Sequence, residues 1–344
     1  MISCGSTPPS DTPAPDAPAP QEEAPSPEMR KALRDAQERA RALRQRALDF
    51  HGPDYYPDEW KAAESRFTQA EALKPESAQA YQAALDQYTA LGDTYEGIGT
   101  KAIPRYKESR DQALQIARDE ALEAGAAEAL SEALDQADKT AQEALGLYEG
   151  QDYYAFARES AQAEALYTIL KIQGASMALR SEIETYTLNR FDPPAFAAAE
   201  EALHGAMSAY EAKDSAAAQV AAEKALSAYE QVAAAGWEAL AEEQRQRAYS
   251  LREEAMNLKA PVAMQEAYEE ADGVYTQGEQ VLAGQDFKQA FQLFTQGADQ
   301  FTIVRDATIK KRQGAEKAIK TARDKITDSD KRAKSAQAKL GGMR

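Results

Sequence analysis

Residues 150–167 read GQDYYAFARESAQAEALY, and residues 284–301 read GQDFKQAFQLFTQGADQF. Both open on Gly-Gln-Asp-aromatic, and both close on an aromatic residue fifteen positions after the aspartate. A third copy runs from Asp214 to Tyr229. Counted from the aspartate, position +8 holds Ser160, Ala222 and Phe294, position +11 holds Ala163, Ala225 and Gly297, and position +15 holds Tyr167, Tyr229 and Phe301. Upstream, position −4 holds Tyr148, Tyr210 and Leu282, and position −15 holds Ala137, Ala199 and Ala271. Matching on both sides of a Gly/Asp break predicts a helix–turn–helix, with glycine closing the first helix and aspartate capping the second. A fourth, weaker copy ends at Tyr88, with Tyr81 and Ala84 in the +8 and +11 columns.

The anchor aromatics lie 79, 62 and 72 residues apart. A plain helix-pair repeat needs only about 34. Helix-patterned sequence fills the intervals at 176–188, 236–258 and 313–326. Prolines, which cost ~3 kcal/mol inside a helix, are absent from 105–192, 195–260 and 262–344. The second helix of each hairpin is therefore expected to run ~40–45 residues. Breaks are expected at HGPDYYP (51–57), LKPES (73–77), GDTYEGIGTKAIP (92–104), GQD (150–152), RFDPP (190–194), EAKDS (211–215), LKAP (258–261) and GQD (284–286). The predicted class is all-α, an elongated array of about four helical hairpins linked by long shared helices.

Composition agrees. The 344 residues include 73 alanines and few strand formers, which favours narrow helix–helix seams over a wide core. Net charge is −17, yet residues 305–344 hold 13 Lys/Arg against 5 Asp/Glu. So acidic a body repels phosphate, so no nucleic-acid partner is expected. No run of 18 apolar residues exists to span a bilayer.

Eight of the fifteen prolines fall within residues 8–27, a composition that stays extended and unpacked. The sequence divides into an N-terminal stalk (1–27), a helical-repeat body (28–305) and a basic C-terminal helix and tail (306–344). Cys4 is the only cysteine, which excludes an intrachain disulfide and a cysteine-based zinc site. Met1-Ile2-Ser3-Cys4-Gly5-Ser6 resembles the end of a bacterial lipoprotein signal, in which the cysteine is lipidated; the bland alternative is a stray cysteine in a tail. The match is incomplete, because no basic or apolar signal segment precedes Cys4 in this sequence.

Two further resemblances follow from the body. Phe287, Ala290, Phe294 and Gly297 have the aromatic–small–aromatic–small spacing of the second helix of tetratricopeptide repeats. YYPDEWKAAESRFTQAEA (55–72) resembles a small alanine-rich domain of envelope lipoproteins. Periods of 62–79 depart from the tetratricopeptide length, and shared long helices are closer to spectrin-like bundles. The order of cysteine, stalk and helical repeats resembles bacterial envelope lipoproteins. It implies a periplasmic or outer-surface location, membrane attachment through lipid on Cys4, and envelope proteins as partners.

Catalytic chemistry finds little support. Only His51 and His204 are present. Glu201-Ala-Leu-His204 has the spacing of helical di-metal sites, but the matching position before His51 is Leu48, so no metal site is expected. Neither a nucleophile elbow, a phosphate loop nor a dinucleotide fingerprint appears, and GDTYEGIGT (92–100) has no lysine placed for phosphate. No catalytic residue and no cofactor are expected. The hairpin tyrosines are expected to fill alanine-lined seams with their hydroxyls reaching solvent. The adjacent pair Tyr153 and Tyr154, on different helix faces, is expected to leave one ring exposed as a partner contact. The cationic run at Lys310, Lys311 and Arg312 is read either as a solvated helix end or as docking to an anionic polymer or acidic protein. The resulting expectation is a non-enzymatic, lipid-tethered scaffold; the alternative is an accessory lipoprotein holding a small solute or lipid between hairpins.

Overall fold

The computed structural model describes residues 23–341, with side chains to residue 338. Cys4 and most of the proline-rich stalk lie outside the described residues. The described chain is helical and contains no strand among its residues. In order, the helices are α1 (Pro27–Asp49), α2 (Gly52–Tyr55), α3 (Pro57–Glu71), α4 (Ala78–Glu123), α5 (Ala126–Ala129) and α6 (Ser131–Glu149). They continue with α7 (Tyr153–Thr185), a 3-10 turn (Leu188–Arg190), α8 (Pro193–Glu211), α9 (Ser215–Asn257), α10 (Ala260–Ala263), α11 (Gln265–Ala283) and α12 (Phe287–Gly341). Short and long helices alternate, and α6, α8 and α11 each have 19 residues.

The chain forms two compact units. One comprises the described residues through Gln115 together with Leu145–Ser160, and the other Ile116–Ala144 together with the described residues from Ala161 onward. In the first unit, α1, α3 and the start of α4 enclose Ala40, Ala47, Phe67, Tyr88, Tyr95 and Ile98. In the second, α9 serves two cores in succession. Its first half buries Ala225, Tyr229 and Val232 with α8. Its second half buries Ala241, Ala248 and Ala255 with α11 and α12. Alanine at these contacts lets backbones approach closely, so the seams are narrow and aromatic rings fill the spaces between them.

Two kinds of joint recur. At the hairpin turns, Gln151, Lys213 and Gln285 are left-handed, at φ 63°, 61° and 64°. The amides of Asp152, Asp214 and Asp286 reach back five residues to carbonyls of the closing helix, as in a Schellman motif. The same three aspartates then accept the amides of Ala155, Ala217 and Gln289 at 3.0–3.1 Å, capping the next helix. Gly150 and Gly284 directly follow the last residue of the closing helix, as expected, and the glutamine after each takes the left-handed conformation, while Gly284 itself stays at φ −80°.

The second joint follows each long helix. His51, Gly125, Thr187 and Lys259 are left-handed and each is followed by a short turn of helix, and at two of these joints a glycine of the following long helix lies against it. A Cβ on Gly174 would stand 2.5 Å from the carbonyl oxygen of Ala124, and one on Gly236 2.5 Å from Cβ of Leu188. Both glycines are required by close approach.

Two expected features are corrected. The stretch 92–104 is not a connection but lies inside the 46-residue α4. A Cβ on Gly92 would stand 3.9 Å from Cα of Ala40, and one on Gly99 3.6 Å from Cα of Ala47, so both glycines serve packing against α1. Pro104 sits on the solvent face, where the carbonyl it leaves unpaired can be hydrated. Conversely, the break at 124–130 carries no proline, and its only signal is Gly125 in the left-handed region.

Candidate functional site

The side-chain chemistry of the described residues concentrates in one arrangement that recurs at fixed spacing. Arg44 donates from Nε and Nη2 to the two carboxylate oxygens of Glu64, both at 2.7 Å, and the Tyr95 hydroxyl donates to the same carboxylate at 2.7 Å. Arg118 holds Asp138 at 2.8 and 2.9 Å, and Tyr167 donates to it at 2.6 Å. Arg180 donates to Glu200 at 2.6 Å, and Tyr229 donates to it at 2.5 Å. Arg252 donates to Asp272 at 2.5 Å, where Phe301 occupies the tyrosine position. Arginine and acid are 20 residues apart in all four cases, and acid and aromatic are 31, 29, 29 and 29 apart.

Each clamp ties three helices: an arginine at the end of one long helix, an acid on the short helix, and a ring on the next long helix. Planar guanidinium suits this role, and at Arg44 and Arg118 it meets the carboxylate through two bonds. The hydrogen bond from Arg44 holds the Glu64 carboxyl below its ordinary range, and Arg118 does the same to Asp138. Burial pushes Glu200 upward, but hydrogen bonds from Arg180 and Tyr229 outweigh it and its net shift is downward. Burial, and then the adjoining carboxylate, push the Tyr95, Tyr167 and Tyr229 hydroxyls well above the ordinary phenol value.

These clamps correct two sequence expectations. The tyrosine hydroxyls do not simply reach solvent; Tyr167 and Tyr229 donate to acids, and Tyr210 donates to the carbonyl of Ala133 at 2.8 Å. Burial raises Tyr210 to about 12. The fourth copy is anchored by Tyr95, not Tyr88. Seven residues are about two helical turns, so both rings are buried on one face, and the small residue four before the ring, Ala84 for Tyr88 but Leu91 for Tyr95, favoured the wrong one. The acids and arginines were missed, although the signal was present: positions −14 (Asp138, Glu200, Asp272) and −34 (Arg118, Arg180, Arg252) are constant from the same anchor.

A second concentration lies in the first unit, where Phe50 is surrounded by rings. Tyr106, Tyr153 and Tyr154 approach it at 5.5, 6.3 and 5.1 Å. Tyr153 is half-buried and also meets Tyr148 at 5.5 Å. Tyr154 is 53% exposed and donates its hydroxyl to Asp49 at 3.0 Å. His51 stacks on Tyr106 at 5.6 Å, with Nδ1 2.9 Å from Asp54. Beside this cluster, a surface depression of about 440 Å³ is lined by Asp54, Tyr55, Tyr56, Arg105, Glu108, Ser109 and Gln112.

The basic run behaves differently along its length. Lys310 is exposed, Lys311 donates to the carbonyl of Ala263 at 2.7 Å, and Arg312 pairs with Glu316 at 3.0 Å. From 311 to 338 every residue of α12 is exposed. Glu201 and His204 are both exposed, so the Glu-x-x-His pair points away from the core. Among the described residues no group of three or more His, Cys, Asp or Glu could hold a metal ion, and no helix is long and apolar enough to cross a membrane. Comparison with protein-family models, with curated proteins and with solved structures gives no match.

Proposed function

We propose that this chain is a non-enzymatic helical-repeat scaffold, tethered to a bacterial envelope membrane through lipid on Cys4 and binding other envelope proteins. The observation that carries this reading is the use to which the strongest side-chain chemistry is put. The four clamps consume their arginines and acids in tying helices together, and Glu64, Asp138, Glu200, Tyr95, Tyr167 and Tyr229, all shifted from their ordinary values, belong to them. An enzyme directs such groups at a cleft. The sharing of α9 between two cores supports a spectrin-like array over a tetratricopeptide groove. In this reading Cys4 anchors, the proline-rich stalk sets reach, and α12 together with the Tyr153–Tyr154 edge presents contact surface.

The depression beside Tyr55 and Tyr56 supports a second reading, an accessory protein that binds a small solute. Its lining brings two phenol rings, Tyr55 and Tyr56, together with Arg105 and Glu108 at the surface. Cross-linking in intact cells followed by mass spectrometry separates the two. The scaffold reading expects defined protein adducts. Absence of any adduct, with a small molecule co-purifying and lost on Tyr55→Ala, would establish the second reading instead. Tethering is tested by labelled fatty acid in cells carrying the complete native leader, which should enter the wild type and not Cys4→Ala. Equal labelling of both removes the anchor.

A further inference from the structure

The arginine of each clamp sits in a fixed local pattern. Ala40, Leu114, Ser176 and Ala248 lie four residues before it, and Ala47, Ala121, Ile183 and Ala255 three residues after it. All eight are buried. A fifth copy of the pattern lies in α12: Ile319, Ala322, Arg323 and Ile326. Its Ala322-Arg323-Asp324 repeats Ala117-Arg118-Asp119, and Arg323 follows Arg252 by 71 residues, against earlier intervals of 74, 62 and 72. Here, however, the face is bare. Ile319 is 53% exposed and Ile326 62%, and among the described residues the Arg323 guanidinium has no partner. The residue seven positions after the arginine, left-handed in the four bundles, is Asp330 here and stays helical.

We infer that Ile319, Ala322, Arg323 and Ile326 form the first-helix face of a fifth three-helix bundle, completed by an acidic helical hairpin of a partner protein whose carboxylate takes Arg323. The inference rests on the scaffold reading and names the chemistry of its partner. Four internal precedents state what covers this face: a short helix bringing one Asp or Glu to the guanidinium, and a second helix bringing a ring. Charge favours the same occupant, because residues 310–338 hold ten Lys/Arg against four Asp/Glu. A second copy of this chain does not meet the requirement. Its equivalent acids, Glu64, Asp138, Glu200 and Asp272, are already held by their own arginines. In a parallel pairing of two α12 helices, Arg323 would also face Ala318, which offers no acceptor.

The test uses the full chain in its own cells, with the photo-cross-linker benzoylphenylalanine placed singly at 319 or 326, and at 317 or 328 on the opposite side of α12. Adducts at 319 and 326 to one heterologous helical segment containing an Asp or Glu are expected, with none from 317 or 328. Adduct yield should fall at least about tenfold with Arg323→Glu and recover when the mapped acid is changed to arginine. Adducts to a second copy, equal adducts from both faces, none at 319 and 326, or indifference to Arg323→Glu each overturn the inference. Defined partner adducts elsewhere, for example at Tyr154, with none at 319 and 326, would sink the fifth bundle and leave the scaffold standing.

Discussion

The clamps at Arg180 and Arg252 are built alike and differ in the length of the acid, glutamate against aspartate, and in one phenolic hydroxyl. In the first, Glu200 accepts from both Arg180 and Tyr229. In the second, Asp272 accepts from Arg252, and Phe301 stands where the tyrosine would be, fully buried and 5.7 Å from Tyr268. What is common to both is a buried ring on the second long helix and an ion pair across the first two helices. The hydroxyl and the length of the acid are the parts that vary. The ring therefore fills the gap that alanine seams leave, the ion pair sets register between helices, and the phenolic hydrogen bond adds to a frame already formed.

The largest expected effect follows from the shared part. Tyr229→Ala and Phe301→Ala should each destabilise by about 3–5 kcal/mol, read as a lowered urea midpoint for the unit that holds them. Comparable losses would identify the ring as the constant element. A loss below about 1 kcal/mol at Phe301 would show that the second bundle is held in another way. Next comes the joint seven residues beyond the ring, which is Gly236 in one bundle and the buried Thr308 in the other. Transplanting the residue as Gly236→Thr should cost about 1–3 kcal/mol, because its Cβ would meet Leu188 at 2.5 Å. Thr308→Gly should cost less than that. If Gly236→Thr proves neutral, the close approach is not a constraint.

The ion pairs come third. The Glu200 side chain is 35% exposed, so solvent screening reduces what Glu200→Gln removes to about 1–2 kcal/mol. Its folded-state value is lowered, so its contribution is present above the unfolded value of 4.5 and is lost as pH falls through the folded value. Urea midpoints of wild type and Glu200→Gln should therefore differ at pH 7 and converge well below pH 4.5. A difference that persists into strong acid would assign the loss to packing instead.

Much of this frame was legible in the chain. Gly-Gln-Asp and Ala-Lys-Asp marked the hairpin turns because a side-chain acceptor is needed at each helix start, and proline-free intervals marked the long helices. The break at Gly125 was not legible, since a left-handed glycine without a proline also fits a helix interior of this composition. Gly92, Gly97, Gly99 and Pro104 misled in the opposite direction; two of these glycines serve contact with α1, and the proline faces water. The clamps were hidden for another reason. Their members are 20 and 29–31 residues apart, on three helices, and in a chain with 57 acidic residues an Asp or Glu column stands out only after the repeat has been aligned. At α12 the reverse holds: the pattern at Arg323 was readable, but that no described residue covers it required the structure.

The smallest effect is the most specific to the comparison. Tyr229→Phe gives the first clamp the ring of the second, and at pH 7 it should cost only about 0.5–1.5 kcal/mol, the net worth of one hydrogen bond. Burial and Glu200 hold the Tyr229 proton well above its ordinary value of 10. The contribution of a neutral tyrosine is fully present below the unfolded value and is lost as pH rises through the folded one, because the unfolded chain ionises first. The cost of Tyr229→Phe should thus shrink above pH 10 and then reverse, while the converse change, Phe301→Tyr, should make the second bundle newly sensitive to alkali. A Tyr229→Phe penalty independent of pH would mean that the hydroxyl is solvated in the folded protein and that its bond to Glu200 contributes nothing.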